Sequence, residues 1–507
     1  MTFFRIHIIK PLIVTVLLAV AVAGCMVGPK LEKPVVEAEE HFRFDSIAGD
    51  TMINLEWWKL YEDPMLDTLI YMALDYNRDV LIAMSRIDQA YAVLGASKAD
   101  LWPSLGYDIN ADYSKPNSTG SGNDPGAFFA ITPSVYWELD FWGKVRRANQ
   151  AAMAEIVASE EALRLVQVSL IAAVADGYFQ LLDFDKRLEI SRRTWETRKE
   201  SLKIIEQRFE YGTVPEIDLN QAQQQEAIAA TAIPFYERGV AKTENYLSLL
   251  IGQNPRRIER GFLGNLVPPP YIPVGLPSEL LMRRPDLVQA EQNFYAETAR
   301  IGVAQAMRFP SFSITGALGV ASGDLSNLLS GDALIYSVGG SILGPIFNWG
   351  KNKRRVEIQQ KIAEQALYSY EQTVLNAFRE VDDALIEIHT YRMESESRQR
   401  QKEAAIHAAG LSRARYDGGQ TAYLEVLETE RSMFNAELEA TAVKRNHYSA
   451  YIYLYKALGG GWITREAKEA AEAEAAEAVV VETEAEAEEV VADVEAEAGD
   501  ETEKAAE

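Results

Sequence analysis

The chain has 507 residues, 48% of them hydrophobic, enough for a large core and more than one structural layer. Its 75 acidic residues against 50 basic ones leave a net charge of −25, which argues against a nucleic-acid binder. The single cysteine, Cys25, excludes an intramolecular disulfide and a cysteine-rich zinc site. Beyond the N-terminus no run of about 18 apolar residues offers a transmembrane helix, so any membrane span of the mature chain has to be β.

In chain order, Arg5, His7 and Lys10 form a short positive region, followed by an almost unbroken apolar run from Leu12 to Ala23. This pattern makes residues 1–24 a secretory signal peptide. It ends in Val22-Ala23-Gly24-Cys25, which resembles the bacterial lipobox, with valine where leucine is usual. The resemblance implies lipidation of Cys25 and anchoring in outer-membrane lipid, since each buried CH₂ of an acyl chain contributes about 0.8 kcal/mol. Met26, rather than aspartate, follows the cysteine, which resembles an outer-membrane sorting signal. Residues 25–63 are then a lipidated N-terminal segment.

The remainder reads as one unit used twice. Trp102-Pro103-Ser104 recurs as Phe309-Pro310-Ser311, and Trp142-Gly143-Lys144 as Trp349-Gly350-Lys351. Arg208 and Gly212 recur as Arg415 and Gly419, and Leu250-Ile251-Gly252 as Ala457-Leu458-Gly459. Every pair is separated by 207 positions, too long for a solenoid repeat and without net insertion. The halves are residues 64–252 and 280–464, joined by a linker at 253–279.

Each half opens with an amphipathic stretch, at 64–100 and 280–308. Two runs with period-two alternation follow. Leu105, Tyr107, Ile109, Ala111 and Tyr113 alternate with Gly106, Asp108, Asn110 and Asp112; Phe129, Ile131, Val135, Trp137 and Leu139 alternate with Ala130, Thr132, Ser134, Tyr136 and Glu138. Such alternation gives a strand one apolar and one polar face, and about 10 residues suit a tilted membrane strand. The second half repeats the runs around Phe312–Val320 and Tyr336–Ile342; the loops between runs are expected at 115–126 and 321–333.

From Val145 to Tyr211 there is no proline and one glycine, and Leu163, Val166, Leu170, Val174, Tyr178 and Leu181 form an apolar stripe. A helix of that length spans roughly 100 Å and calls for coiled-coil or tubular packing. Residues 348–417 form its counterpart. Each long helix ends in a glycine turn, Gly212-Thr213-Val214 before Pro215 and Gly419-Gln420-Thr421, and helices over about 216–252 and 422–458 return. In the first half, two shorter helices stacked end to end are expected beside the long one.

Lipid leaves backbone groups no water to bond, so membrane strands must close into a barrel. Four strands are too few, since single-chain bacterial barrels start at eight. Several copies must therefore share the wall, with polar faces lining a lumen that the long helices continue. The expected fold class is mixed α and membrane β, and the expected activity is conduction rather than catalysis.

The chain resembles the TolC-like outer membrane factors, in particular the lipoprotein branch of RND efflux systems. The resemblance rests on Cys25-Met26-Val27-Gly28-Pro29, Trp57-Trp58 with Tyr61-Glu62-Asp63-Pro64, and Trp137-Glu138-Leu139-Asp140 with Gly143-Lys144. It continues through Arg283-Arg284-Pro285-Asp286, Phe309-Pro310-Ser311, Pro345-Ile346-Phe347, Gly350-Lys351 and Tyr423-Leu424-Glu425-Val426-Leu427. It implies a homotrimer whose four strands per chain make a 12-stranded barrel continued by a long α-helical barrel. It also implies a periplasmic membrane-fusion adaptor, an inner-membrane RND pump, and an equatorial region formed by residues 25–63 and 253–279. By resemblance, Gly212, Thr213, Val214, Gly419, Gln420 and Thr421 are adaptor-contact or gate turns. Asp218 and Glu425 are lumen or gate carboxylates, with first-turn stabilisation of their helices an equal reading. Relatives with an aspartate ring carry it where Thr421 stands. Pro285 suits the first turn of a helix and Asp286 its dipole, so the Arg283–Asp286 block reads as structural. Trp57 and Trp58 are expected to pack the domain around the tunnel.

Nothing points to an enzyme, a cofactor or a metal: His7, His41, His389, His407 and His447 lack ligand spacing. Residues 465–507, with 17 acidic and 3 basic residues and no aromatic one, are an acidic low-complexity tail. Two other readings stand beside the efflux duct. A type I protein-secretion channel is disfavoured by the lipobox and the Arg283–Asp286 block, and a periplasmic coiled-coil lipoprotein scaffold by the strand pairs.

Overall fold

Asp63 and Pro64 start the first helix, α1 (Pro64–Tyr76): Asp63 accepts the Met65 amide at 3.0 Å, and proline occupies the first helical position. These and the other coordinates come from a computed structural model, which describes residues 26–34, 42–44, 56–114, 125–265 and 283–460, all in one compact unit ending at Gly460. Cys25, most of the first hairpin loop, most of the linker and the acidic tail lie outside the described residues.

The stretch expected at 64–100 is two helices. Asn77 divides them, its side-chain oxygen Oδ1 accepting the Asp79 amide at 2.8 Å and so capping α2 (Arg78–Ala99). The Asn77 side-chain amide meanwhile donates to the Leu250 carbonyl at 2.8 Å. One short polar side chain thus ends one helix, starts a second and covers an orphan carbonyl of a third.

Strands β1 (Ser104–Ser114) and β2 (Gly126–Leu139) lead into α3 (Lys144–Glu210), and α4 (Glu216–Leu250) returns. The second half holds α5 (Pro285–Ala306), β3 (Ser311–Ser322), β4 (Leu334–Leu343), α6 (Lys351–Asp417) and α7 (Tyr423–Ala457). The two long helices have 67 residues each and the returning helices 35 each, with both ends displaced by the same 207 positions. Gly126 belongs to β2 and residues 321–322 to β3, so the strands run further into their loops than the alternation indicated.

The end-to-end joint of half one recurs in half two with different chemistry. Arg284, the position equivalent to Asn77, donates to the Ala457 carbonyl at 2.8 Å, and Ala457 is the equivalent of Leu250. Its guanidinium also bonds Asp286 at 2.9 and 2.7 Å and Glu380 at 2.7 Å. The Arg283–Asp286 block therefore ties α5, α6 and α7 together.

The densest packing surrounds the middle of α3, where Val174, Tyr178, Phe179, Leu181 and Leu182 are buried. Trp57 stacks on Tyr455 at 5.0 Å and Tyr61 meets Phe179 edge-on at 4.8 Å, so the Trp57–Tyr61 turn is an aromatic plug among helices. Tyr178 donates to Asp63 at 2.6 Å, and burial raises its pKa. By length and composition α3 contains a stretch apolar enough to cross a membrane, but 61% of that stretch is buried among the other helices.

Candidate channel wall and tip

The sheet is a four-stranded antiparallel meander in the order β1-β2-β3-β4. Its register decides what each face carries, because paired residues share a face. Leu105, Ile109 and Tyr113 lie opposite Val135, Ile131 and Ala127; Trp137 opposite Ile314; Phe312 and Leu318 opposite Ile342 and Tyr336. One face is thus apolar across all four strands. The other carries Asp108 opposite Thr132, Ser134 opposite Ala317, and Ser313 opposite Ser341, whose hydroxyls bond at 2.7 Å. Acidic Asp108, Asp112 and Glu138 lie on that face, and the four strands contain no lysine or arginine.

Both faces of this sheet are largely exposed in the single chain, and β1 and β4 each leave an edge unpaired among the described residues. Pro133 has no N–H to give a ladder, and the β2–β3 pairing is interrupted there, between Ile131↔Val320 and Ser134↔Ala317, with the register unchanged. Gly319 fills the break. A Cβ on it would come within 2.2 Å of the Ile131 carbonyl oxygen, so only glycine admits that approach.

At the other end of the long helices, Gly212 (φ 68°) and Gly419 (φ 71°) take the left-handed conformation that closes each helix. Thr213 donates its amide and its hydroxyl to the Arg208 carbonyl, at 2.9 and 2.7 Å, and Gln420 donates its amide to Arg415 at 2.8 Å. The two turns form one structure. Ile205, Ala222, Tyr423, Val426 and Leu427 are buried together with Val214 against them, and the Arg208 guanidinium donates to the Tyr416 hydroxyl at 2.8 Å. Glu425, in the first turn of α7, pairs with Arg415 at 3.2 Å and accepts from Thr421. Asp218 sits in the first turn of α4; nearby, the Tyr423 hydroxyl is pushed up to about 12, chiefly by burial, then by Glu430.

A membrane-type sheet whose edges and apolar face are open, joined to helices about 100 Å long, matches one family along the chain. The model of the outer membrane efflux protein family matches residues 69–253 and 276–460. The chain belongs to the outer membrane efflux protein family. Among curated relatives, the probable outer membrane lipoprotein SilC of Salmonella typhimurium is 30% identical over 87% of this chain and 96% of its own. The cation efflux system protein CusC of Escherichia coli K12 is 30% identical over 87% and 98%. Among solved structures, the outer-membrane channel OprN superposes with a TM-score of 0.80 at 32% identity, covering 86% of this chain and all of that one. An outer membrane efflux protein is an exit duct across the outer membrane and into the periplasm, which accounts for a chain made of helices and one small antiparallel sheet.

Within this efflux protein the expected tip residues converge: Val214 packs in the shared cluster, Thr213 and Gln420 lock their turns, and Thr421 meets Glu425. Asp218 and Glu425 both stand in helix first turns, as the dipole reading requires, and Glu425 is also bonded to Arg415 and Thr421 of its own turn. Sequence reasoning picked out Arg208 only as a repeat anchor and Leu424 only within a motif; it missed the Arg208–Tyr416 cross-link between repeats and the exposed pair Ile217 and Leu424 beside the two carboxylates. The signal for the latter was present, since Ile217 and Leu424 are equivalent by the repeat offset.

Proposed function

We propose that three copies of this chain share a 12-stranded barrel, continued by a long α-helical barrel. The assembly would be the outer-membrane exit duct of a tripartite pump with a periplasmic membrane-fusion adaptor and an inner-membrane RND transporter. The observation that carries the reading is the sheet: an uninterrupted apolar face suits lipid, a polar face suits water, and two open edges demand further strands. The glycine turns Gly212–Val214 and Gly419–Thr421, with exposed Ile217 and Leu424, form the adaptor contact and gate, and Asp218 and Glu425 are its carboxylates. The acidic polar face of the strands makes the lumen prefer cations.

Cys25 is the lipidated residue. Its neighbours support an anchor at the level where strands become helices: Val27 donates to the Trp142 carbonyl at 3.2 Å, and buried Arg147 donates to the Val27 carbonyl at 3.0 Å. Beside them Trp142 stacks on Phe309, the kind of aromatic pair that favours a membrane interface. Labelling cells with an alkyne palmitate should tag the parent and spare Cys25→Ser. Reconstituted in planar bilayers, the full chain should conduct ions, and more so once the tip is opened by mutation; silence in both states would leave a coiled-coil scaffold as the better reading. Capture of a membrane-fusion adaptor, rather than of a protein-secretion adaptor, distinguishes an efflux duct from a type I secretion channel.

A further inference from the structure

Between α2, α3 and α5 the chain encloses a cavity of about 410 Å³, open on one side. Its floor is small and apolar, made of Ala83, Ala90, Ala158, Ala162 and Val166. Its rim is polar: Arg86 and Gln89 come from α2, Ser159 from α3, and Gln289 and Asn293 from α5. The volume suits a small organic molecule.

The direction in which the cavity opens follows from α5. At about 100° per residue, Gln289 and Asn293 each stand about 200° away from Glu291, on the opposite side of the helix. Glu291 pairs with Lys33 at 3.6 Å. Gly302, about three turns further along the same side as Glu291, lies against Gly28, where a Cβ would come within 2.6 Å of the Gly302 Cα. The flanks of α5 are taken by α3, at Ala296 and Ala299, and by α6, at Leu287. One side of α5 thus carries the segment that follows Cys25, and the other carries the cavity. A segment tethered to membrane lipid runs on the outside of a tube, so the cavity opens into the lumen.

Charge decides what fits. Glu155, the one acid in the lining, is already held by Arg300. Arg86 is exposed and makes no ion pair among the described residues. Its planar guanidinium offers a carboxylate two parallel N–H donors, and the amides of Gln89, Gln289 and Asn293 can donate beside it. A bare inorganic anion would leave the apolar floor in water, and a neutral apolar molecule would leave Arg86 unused. Resting on the duct and the lipid anchor proposed above, we infer that the cavity is a cargo subsite in the tunnel wall for a small amphipathic organic anion. An aromatic carboxylate meets both parts: its charge pairs with Arg86, and its ring lies on the alanine and valine floor. The acidic face of the strands disfavours such a molecule, and the subsite raises its local concentration inside the same lumen.

The probe is para-trifluoromethylbenzoate, titrated into the full-length, detergent-solubilised protein and followed by fluorine NMR. Saturable line broadening beyond that in empty micelles is expected. Arg86→Gln should weaken binding about tenfold, as the loss of a charge-assisted pair does. Ala162→Leu fills the floor while keeping the charge, and should weaken binding about as much. Lys98→Gln removes the same charge from an exposed position of α2 outside the cavity and should leave binding unchanged. Arg86 is exposed, so circular dichroism of Arg86→Gln should match the parent. The matching benzyl alcohol, which lacks the charge, and trifluoroacetate, which lacks the ring, should show no saturable binding. A parent without saturable binding overturns the subsite and leaves the duct standing, as does Arg86→Gln binding like the parent or trifluoroacetate binding as well as the probe. A chain that stays silent in planar bilayers with its tip opened overturns the duct, and the lumenal placement with it.

Discussion

The two long helices have the same length and the same place in their repeats, yet 27 residues of α3 are buried against 11 of α6. The difference lies in neighbours: α3 lies against α2 and α4 of its own repeat and α5 and α7 of the other, whereas among the described residues α6 packs on α5, α7 and the short segment at Phe42. Its sequence follows. Ala151, Ala154 and Glu155 of α3 become Ile358, Lys361 and Ile362 on α6, larger side chains suited to a contact the single chain does not make. A duplicated unit therefore does not mean duplicated environments: one copy completes the fold, and the other presents the same surface outward.

The sharpest break in this comparison lies at the two helix joints. Arg284→Ala removes the bond to the Ala457 carbonyl and leaves Asp286 and Glu380 without their cation, so it should cost about 3 kcal/mol, the low end for a buried pair because Glu380 stays partly hydrated. Its twin Asn77→Ala removes neutral bonds only and should cost about 1–2 kcal/mol. Thermal unfolding followed by helix circular dichroism measures both; equal losses would mean that the added charge at Arg284 does nothing for the joint.

At the tip the same pairing of positions predicts unequal channels. Glu425 is tied to Arg415 and Thr421, whereas Asp218 makes no ion pair among the described residues. Glu425→Ala should raise conductance in planar bilayers severalfold, as expected when charge-assisted bonds holding a closed turn are lost; Asp218→Ala should raise it less. The reverse order would place the latch on the first repeat. A smaller effect is expected in the strands, where acidic residues of the polar face lie only in the first half. Asp108→Asn with Asp112→Asn should lower the cation-to-anion permeability ratio while leaving assembly intact, and an unchanged reversal potential in a salt gradient would remove these carboxylates from the lumen.

Much of this was legible in the sequence because the repeat fixes spacing without knowledge of contacts. Period-two alternation located all four strands, and the glycine turns located where each of the two long helices ends. What escaped depended on partners distant in the chain. Nothing local marks Asn77 as a break in an otherwise helical stretch, since its side-chain amide is satisfied by Leu250, 173 positions away. Arg208 and Tyr416 look like ordinary residues of a polar helix end until the two turns are brought side by side. Asp218 and Glu425 were found by the repeat, but only the geometry shows that Glu425 is bonded within its turn.

The turns themselves provide the mildest comparison. Gly212 and Gly419 both hold positive φ, and a Cβ on either would meet nothing within 4 Å. Alanine at either position should therefore cost only the strain of a left-handed residue, about 1 kcal/mol, with no steric term. Gly252 has a similar φ of 70°, but a Cβ there would lie 2.1 Å from the Tyr76 carbonyl oxygen, so alanine must also displace backbone and should cost distinctly more. Melting the three variants side by side isolates the conformational share. Equal small losses at Gly212 and Gly419 would show that the two turns are mechanically equivalent, and a larger loss at one would mean that its turn is pressed against something the other is not.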